Sequence, residues 1–314
     1  MFLCIGTTPA AQRVMVFRQF TLGAVNRATT TLDGPAGKSV NVAKVLQVLG
    51  ADPIATGFLG GQRGQELRAS LEDRGVKCDF VTITTPTRLC VTVIDQSAET
   101  ATELVEESRP AEPADYEKLL AVVERRLATC RAVIMSGTIA SRGPSDLYFQ
   151  CVRLAQAARV LSIVDATGPA LVEALKASPG LVKPNRAELE ATVGRRLSDE
   201  RAVSSAVRDL HSRGAQRVVV TAGAAPTLAF DGHQFWRVTA PKVKAVNPIG
   251  SGDAFTAGLA WRLTSGDALG EACRWATAAG AANTLTPMPG EVKREDVENL
   301  APLVTVERIS NTAR

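Results

Sequence analysis

The chain has 314 residues, of which 45% are apolar and 22% charged, with a formal net charge of +4. That length supports one large α/β domain or two smaller ones around a well-buried core. The basic residues are scattered and aromatics make up only 4%, so neither a nucleic-acid surface nor a base-stacking platform is implied. No apolar run is long enough to cross a bilayer. The opening MFLCIGTTPAAQR lacks a basic start before a long apolar stretch. It reads as a first strand rather than a signal peptide, and a cytoplasmic location is expected. Cys4, Cys78, Cys90, Cys130, Cys151 and Cys273 are widely spaced with no C-x-x-C pair, as expected of buried free thiols. His211 and His233 are the only histidines, which leaves little material for a zinc site or a Ser-His-Asp triad.

From about Ser39 the elements follow a regular order. VNVAKVLQVLG has helical apolar spacing and ends in Gly50, a suitable C-cap. PIATGFLG reads as a strand, GQELRASLEDRG as an amphipathic helix, and DFVTIT and LCVTVID as strands. A polar loop precedes the helix in PADYEKLLAVVERRLATC. AVIMSG is a buried strand, SDLYFQCVRLAQAAR a helix and VLSIVDAT a strand. ALVEALKAS (helix), GLVKPN (strand into turn) and RAELEATVG (helix) follow. AVSSAVRDLHSRG (helix) and RVVVTAG (strand) come next, and Val243–Val246 reads as one more strand. This alternation predicts an α/β fold with a mostly parallel sheet covered by helices on both faces. Residues 8–35 and 82–106 break it with strand-like alternation and no helix. They predict a small β-sheet lid over a core formed by residues 1–7, 36–81 and 107–314. A lid at the carboxyl edge of a parallel sheet would cover the place where such folds bind ligands.

The stretch VNPIGSGDAFTAG stands between that last strand and an apolar helical pattern. Gly250 and Gly252, on either side of Ser251, let successive N–H groups point into one concavity at a helix N-terminus, a setting for an anion. Asp253 follows at the mouth. It either takes a proton from an attacking hydroxyl or merely caps its helix. GPAGKS, Gly34–Ser39, is not a P-loop, because the first glycine of that motif would fall on Leu32. Lys38 there either meets a ligand or is a solvated lysine at a helix start. In LVKPNRAELE, Asn185 and Glu188 have capping-box spacing, and with Lys183 they could instead face a triphosphate and its Mg²⁺ through water. GFLGGQRG is a tight turn or a close approach of ligand to backbone.

Taken together and in order, these motifs resemble the PfkB (ribokinase-like) carbohydrate kinases, closest to the 1-phosphofructokinase / tagatose-6-phosphate kinase branch. The resemblance runs through LGAVNR, AGKSVNVAKVL, GFLGGQRG, TRLCVTV, TEL, SGTIASRGPSDLY, VDATGPALVEAL, VKPNRAELE, VVVTAG and VNPIGSGDAFTAG. It implies a ribokinase-like core with a β lid, a homodimer joined through the lids, and transfer of the ATP γ-phosphate with Mg²⁺ to a sugar or sugar-phosphate hydroxyl. By resemblance, Asp253 is the base and Gly250, Ser251 and Gly252 form the anion hole. Lys183, Asn185, Glu188, Thr221, Gly223 and Asn283 serve the nucleotide, with Glu188 reaching the metal through water. Gly37, Lys38, Asn41, Arg88 and Ser136 serve the acceptor, and Arg27 reaches a neighbouring subunit's site.

The acceptor half departs from the family pattern. Gln12 stands where the branch carries an aspartate, Ala36 and Ser39 replace glycines around Gly37-Lys38, and the segment after Gly137 reads Thr138-Ile139-Ala140. A hexose-phosphate kinase is expected, with two alternatives: a kinase for an unphosphorylated sugar or nucleoside, or a non-catalytic sensor.

Overall fold

The computed structural model describes residues 1–309. Its strands are β1 (Phe2–Gly6), β2 (Ala10–Phe17), β3 (Thr30–Ala36), β4 (Pro53–Leu59), β5 (Lys77–Cys78), β6 (Val81–Thr82), β7 (Arg88–Asp95) and β8 (Thr100–Val105). They continue with β9 (Ala132–Ser136), β10 (Leu161–Asp165), β11 (Leu181–Val182), β12 (Val218–Ala222), β13 (Ala225–Phe230), β14 (Phe235–Thr239) and β15 (Thr305–Ile309). The helices are α1 (Lys38–Val48), α2 (Gly61–Asp73), α3 (Pro113–Leu127), α4 (Leu147–Ala157), α5 (Gly168–Leu175), α6 (Arg186–Val193), α7 (Glu200–Ser212), α8 (Ser251–Thr264), α9 (Leu269–Thr284) and α10 (Arg294–Leu300).

The large sheet has the order β15-β14-β13-β12-β11-β10-β9-β1-β4-β5, with β6 pairing β4. The strands from β12 through β1 to β4 run parallel, and β13, β14 and β15 extend the sheet antiparallel. The central strands are buried on both faces, which is why they read as continuous apolar runs. Alternate residues feed two separate cores. Phe2 and Cys4 pack with α1, α8 and α9, whereas Leu3 and Ile5 pack with α3, α4, α5 and α7. This is the two-residue period of a strand expressed as three layers. The architecture is therefore the expected ribokinase-like α/β fold.

Strand order reverses at β1, whose neighbours are β9 on one side and β4 on the other. At such a switch point the carboxyl ends of the strands open a crevice. A second sheet, ordered β3-β2-β7-β8, stands apart from the first. It draws its strands from two stretches of chain, 10–36 and 88–105. Gly37 joins this sheet to α1 with φ 106°, and a Cβ there would come within 2.9 Å of Pro9 Cα, so the joint requires glycine.

One local expectation is corrected, and one of two open readings is excluded. Val243–Val246 forms no strand: between Pro241 and Pro248 it has no sheet neighbour, and the N–H groups of Val246 and Asn247 donate instead to Thr284 O at the end of α9. The glycines of GFLGGQRG admit protein rather than ligand. A Cβ on Gly57 would lie 1.8 Å from Gly6 O, and one on Gly60 would lie 2.0 Å from Thr85 O. The six cysteines are free, with Cys78 and Cys130 only partly buried. No helix among the described residues is long and apolar enough to cross a membrane.

Candidate active site

The crevice is a cavity of about 310 Å³ between the ends of β10 and β11, the N-termini of α1 and α8, and the inner face of the small sheet. Its floor is electrostatic. Asp165, the last residue of β10, is buried and accepts from Lys38 Nζ at 3.3 Å and pairs with Lys183 Nζ at 3.2 Å. Thr256 Oγ1 donates to the same carboxylate at 2.8 Å. Burial alone would raise the Asp165 carboxyl, but Lys183, Lys38 and the Thr256 bond outweigh it and hold it below the usual carboxylate range. Lys38 also meets Glu188 Oε1 at 3.1 Å. The Asp165 charge, helped by Glu188 and Asp253 against the cost of burial, raises the Lys38 ammonium well above its ordinary value. Lys38 is thus not merely a solvated lysine: with its side chain still 38% exposed, it pairs with both Asp165 and Glu188.

Asp253 sits one turn into the other wall. The N-cap of α8 is Gly250, in the left-handed region at φ 86°, so Asp253 is the third helical residue and makes no capping bond. Its carboxylate instead accepts from Asn41 Nδ2 at 2.7 Å. Burial pushes the Asp253 carboxyl up to about 7, against the pull of Lys38. A carboxylate poised there suits proton transfer near neutral pH.

The turn before α8 is braced from behind. A Cβ on Gly250 would lie 2.7 Å from Gly290 N, so two backbone segments touch where only glycine fits. Asn283 ties them together: its Nδ2 donates to Ile249 O at 2.9 Å, and its Oδ1 accepts from Gly290 N at 2.7 Å. Lys44, fully buried on α1, donates to Pro35 O at 2.9 Å and to Pro289 O at 2.8 Å. The joint of the lid, α1 and the glycine turn are therefore one laced unit. In the first turn of α8, Ser251 N donates to Pro248 O at 3.2 Å and Asp253 N to Gly250 O at 3.1 Å, so the positive end of the helix dipole meets the crevice chiefly at Gly252, which lines it.

Asn185 caps α6 through Glu188 N at 2.9 Å, and Glu188 Oε2 accepts from Asn185 N at 2.8 Å. The capping box exists, and the same Glu188 reaches Lys38 with its other oxygen. Asn185, Thr221 and Gly252 also open onto a second cavity of about 510 Å³, with Gly223 and Ser251 in its wall. The two cavities form one crevice with its glycine turn at the junction.

On the lid side, Gln12 is buried and donates from Nε2 to Thr92 Oγ1 at 2.9 Å. Arg88 donates to Thr8 O at 3.0 Å and to Glu106 O at 3.3 Å. Its Nε has no partner, nor has Asn41 Oδ1. Buried polar atoms are rarely left unpaired, and here two of them belong to the walls of one cavity.

The crevice brings together Asp253, Gly250, Ser251, Gly252, Lys183, Asn185, Glu188, Thr221, Gly223, Gln12, Gly37, Lys38, Asn41 and Arg88. Three residues stand outside it. Asn283 is wholly buried with its amide spent on backbone, so it braces the turn and faces no nucleotide. Arg27 is exposed in the loop between β2 and β3, away from the crevice of its own chain. Ser136 is buried at the end of β9, paired in register with Asp165, and its Oγ is unpartnered. Sequence reading passed over Asp165 itself. Its position as the acid closing an apolar strand was the available signal.

The profile of the pfkB family carbohydrate kinases matches residues 2–293. A tagatose-6-phosphate kinase of Staphylococcus epidermidis is 28% identical over 309 residues, covering 98% of this chain and 99% of the relative. The crystal structure of phosphofructokinase-2 from Escherichia coli in complex with fructose-6-phosphate is 26% identical, with a TM-score of 0.86 over 96% of this chain and 98% of that one. Arabidopsis thaliana ribokinase, solved with ribose and ATP, shares the fold with a TM-score of 0.74 at 21% identity, over 96% and 98% of the two chains.

Proposed function

The chain belongs to the pfkB family of carbohydrate kinases, phosphotransferases that act on a sugar hydroxyl, and from that premise we propose that it phosphorylates a hexose phosphate with ATP and Mg²⁺. The observation that carries this reading is the convergence on one cavity of Asp253, held by Asn41, the glycine turn that immediately precedes it and the Lys38–Asp165–Lys183 array. The tagatose-6-phosphate kinase relative and the fructose-6-phosphate complex support a phosphorylated acceptor.

In the proposed mechanism the acceptor hydroxyl lies against Asp253, which takes its proton as the oxygen attacks the γ-phosphorus in line. Asn41 fixes the carboxylate, so the reacting oxygen is oriented before reaction. The N–H groups of the Gly250–Gly252 turn stabilise charge developing on the transferred phosphoryl group. Lys183 and Lys38 attract the phosphates from the floor, and Asp165 prevents the two ammonium groups from repelling each other. The nucleotide extends from this junction into the cavity beside Thr221 and Gly223. Among the described residues no cluster of three or more His, Cys, Asp and Glu could cage a metal. Mg²⁺ keeps several waters and binds largely through nucleotide phosphates, so it needs no more than one or two carboxylates beside them. Glu188, already hydrogen-bonded through each oxygen, would hold it through water. The ion would supply charge neutralisation at the phosphates.

The small sheet acts as lid, and a homodimer through two lids accounts for its exposed apolar residues, Leu22 at 88% and Val25 at 84%. In such a pair Arg27 would reach the crevice of the second copy. The acceptor is identified by ADP release with ATP and Mg²⁺ across fructose 1-phosphate, fructose 6-phosphate, tagatose 6-phosphate, free hexoses, ribose and nucleosides. One preferred sugar phosphate is the expected result. Preference for a free sugar or nucleoside would overturn the phosphorylated acceptor, and silence across the panel with ATP binding intact would overturn the reaction.

A further inference from the structure

Four carboxylates line the main cavity: Asp165, Glu188, Asp253 and Glu103. Three of them already hold protein groups. Asp165 binds two lysines, Glu188 binds Lys38 and the Asn185 N–H, and Asp253 binds the Asn41 amide. Glu103 alone has no hydrogen bond or ion pair among the described residues. It stands on β8, the outer strand of the lid, directly opposite Thr92 on β7. Thr92 in turn receives the Gln12 amide. Gln12 pairs in register with Cys90 and reaches diagonally to Thr92, so the three lie on one face of the small sheet across three strands, and Gln12 and Glu103 line the cavity. Gln12 and Thr92 are neutral, and the Gln12 Nε2 is engaged, so among the described residues lining this cavity Glu103 is the negative charge that the small sheet contributes. Glu103 itself is exposed, at the open side of the cavity, and partial desolvation there raises its carboxyl against the nearby Arg88.

A free carboxylate is an acceptor only, with lone pairs for several donors. It repels a phosphate and binds hydroxyls, and its charge makes those hydrogen bonds stronger than an amide's. Arg88, on the neighbouring strand, has the opposite preference and keeps an unpartnered Nε. The lid face therefore sorts a sugar phosphate by charge, phosphate towards Arg88 and hydroxyl towards Glu103.

We propose that Glu103 is a specificity-determining residue that binds a sugar hydroxyl other than the one phosphorylated, supplying the acceptor-side negative charge that Gln12 does not. This rests on the kinase reading above and names how that site selects its acceptor.

The test is steady-state kinetics of Glu103→Gln and Glu103→Ala with the best acceptor of the panel and its monodeoxy analogues. Removing a charged hydrogen bond raises the acceptor KM by roughly 10-fold or more, more for Ala than for Gln, with the KM for ATP unchanged. One deoxy analogue should be a poor substrate of the unaltered enzyme and insensitive to both substitutions, since its missing hydroxyl is the partner. Glu103→Asp, which retains the charge on a shorter arm, should recover part of the loss. An acceptor KM within twofold of the unaltered enzyme in Glu103→Ala, or an equal loss on every deoxy analogue, would overturn the assignment while leaving the kinase intact. Absence of any acceptor-dependent ADP release from the unaltered enzyme would remove the kinase reading and this inference with it.

Discussion

The Asn41 amide donates to the Asp253 carboxylate across 2.7 Å, joining residues 212 positions apart in the chain. One is presented by α1 immediately after the lid, the other by α8 after the glycine turn. The bond fixes the orientation of a carboxylate that burial would otherwise leave protonated and poorly held. It also places the proposed base under control of the same helix that carries Lys38 and Lys44.

The raised Asp253 carboxyl gives a pH prediction. If it must be ionised to accept a proton, kcat/KM for the acceptor should rise through an apparent pKa of about 7. Stability should move the other way. The folded state retains a proton between the ordinary value of 3.8 and about 7, so this group lowers stability progressively as pH rises across that window. Asp253→Asn should therefore raise the Tm more at pH 8 than at pH 4. Thermal melts at both values check this, and a gain independent of pH would contradict the shift.

Asp165 is predicted to matter for folding as well as for charge. Asp165→Asn leaves Lys183, itself 2% exposed, without its counter-ion. Breaking a buried ion pair from one side costs about 3–5 kcal/mol. Urea denaturation at pH 7 should show a loss of that order, and a loss below about 1 kcal/mol would mean the array is better solvated than its geometry implies.

Arg88 should discriminate between acceptors. Arg88→Lys keeps the charge and loses the planar fork that matches phosphate. The KM for sugar phosphates should rise roughly 10-fold, while any residual activity on free sugars should be unchanged. Equal losses on both would assign Arg88 to the lid joint, where it already donates to Thr8 and Glu106.

Sequence alone reveals much of this molecule because its signals are local. The alternation of apolar strands with amphipathic helices gives the layered core directly, and Gly250-Ser251-Gly252-Asp253 marks a turn no core would need. What escaped reading depends on convergence. Asp165 is one of many acids in the chain until Lys38, 127 positions away, and Lys183 are brought to it. Asn283 looks like a ligand-facing amide from its place in the family pattern, yet its amide is consumed by the Ile249 and Gly290 backbone. Val243–Val246 has β-branched alternation but no strand beside it, and a lone extended segment has nowhere to place its backbone groups. The glycines at 57 and 60 signal close approach correctly without saying that the approaching group is protein.

The most direct test of the account is steady-state kinetics of Asp253→Asn with the identified acceptor. The substitution retains shape and the contact with Asn41 but removes the base. The account predicts a kcat lower by about 10²–10⁴-fold, with little change in ATP affinity. Near-normal turnover in that variant would contradict the assignment of Asp253 as the base.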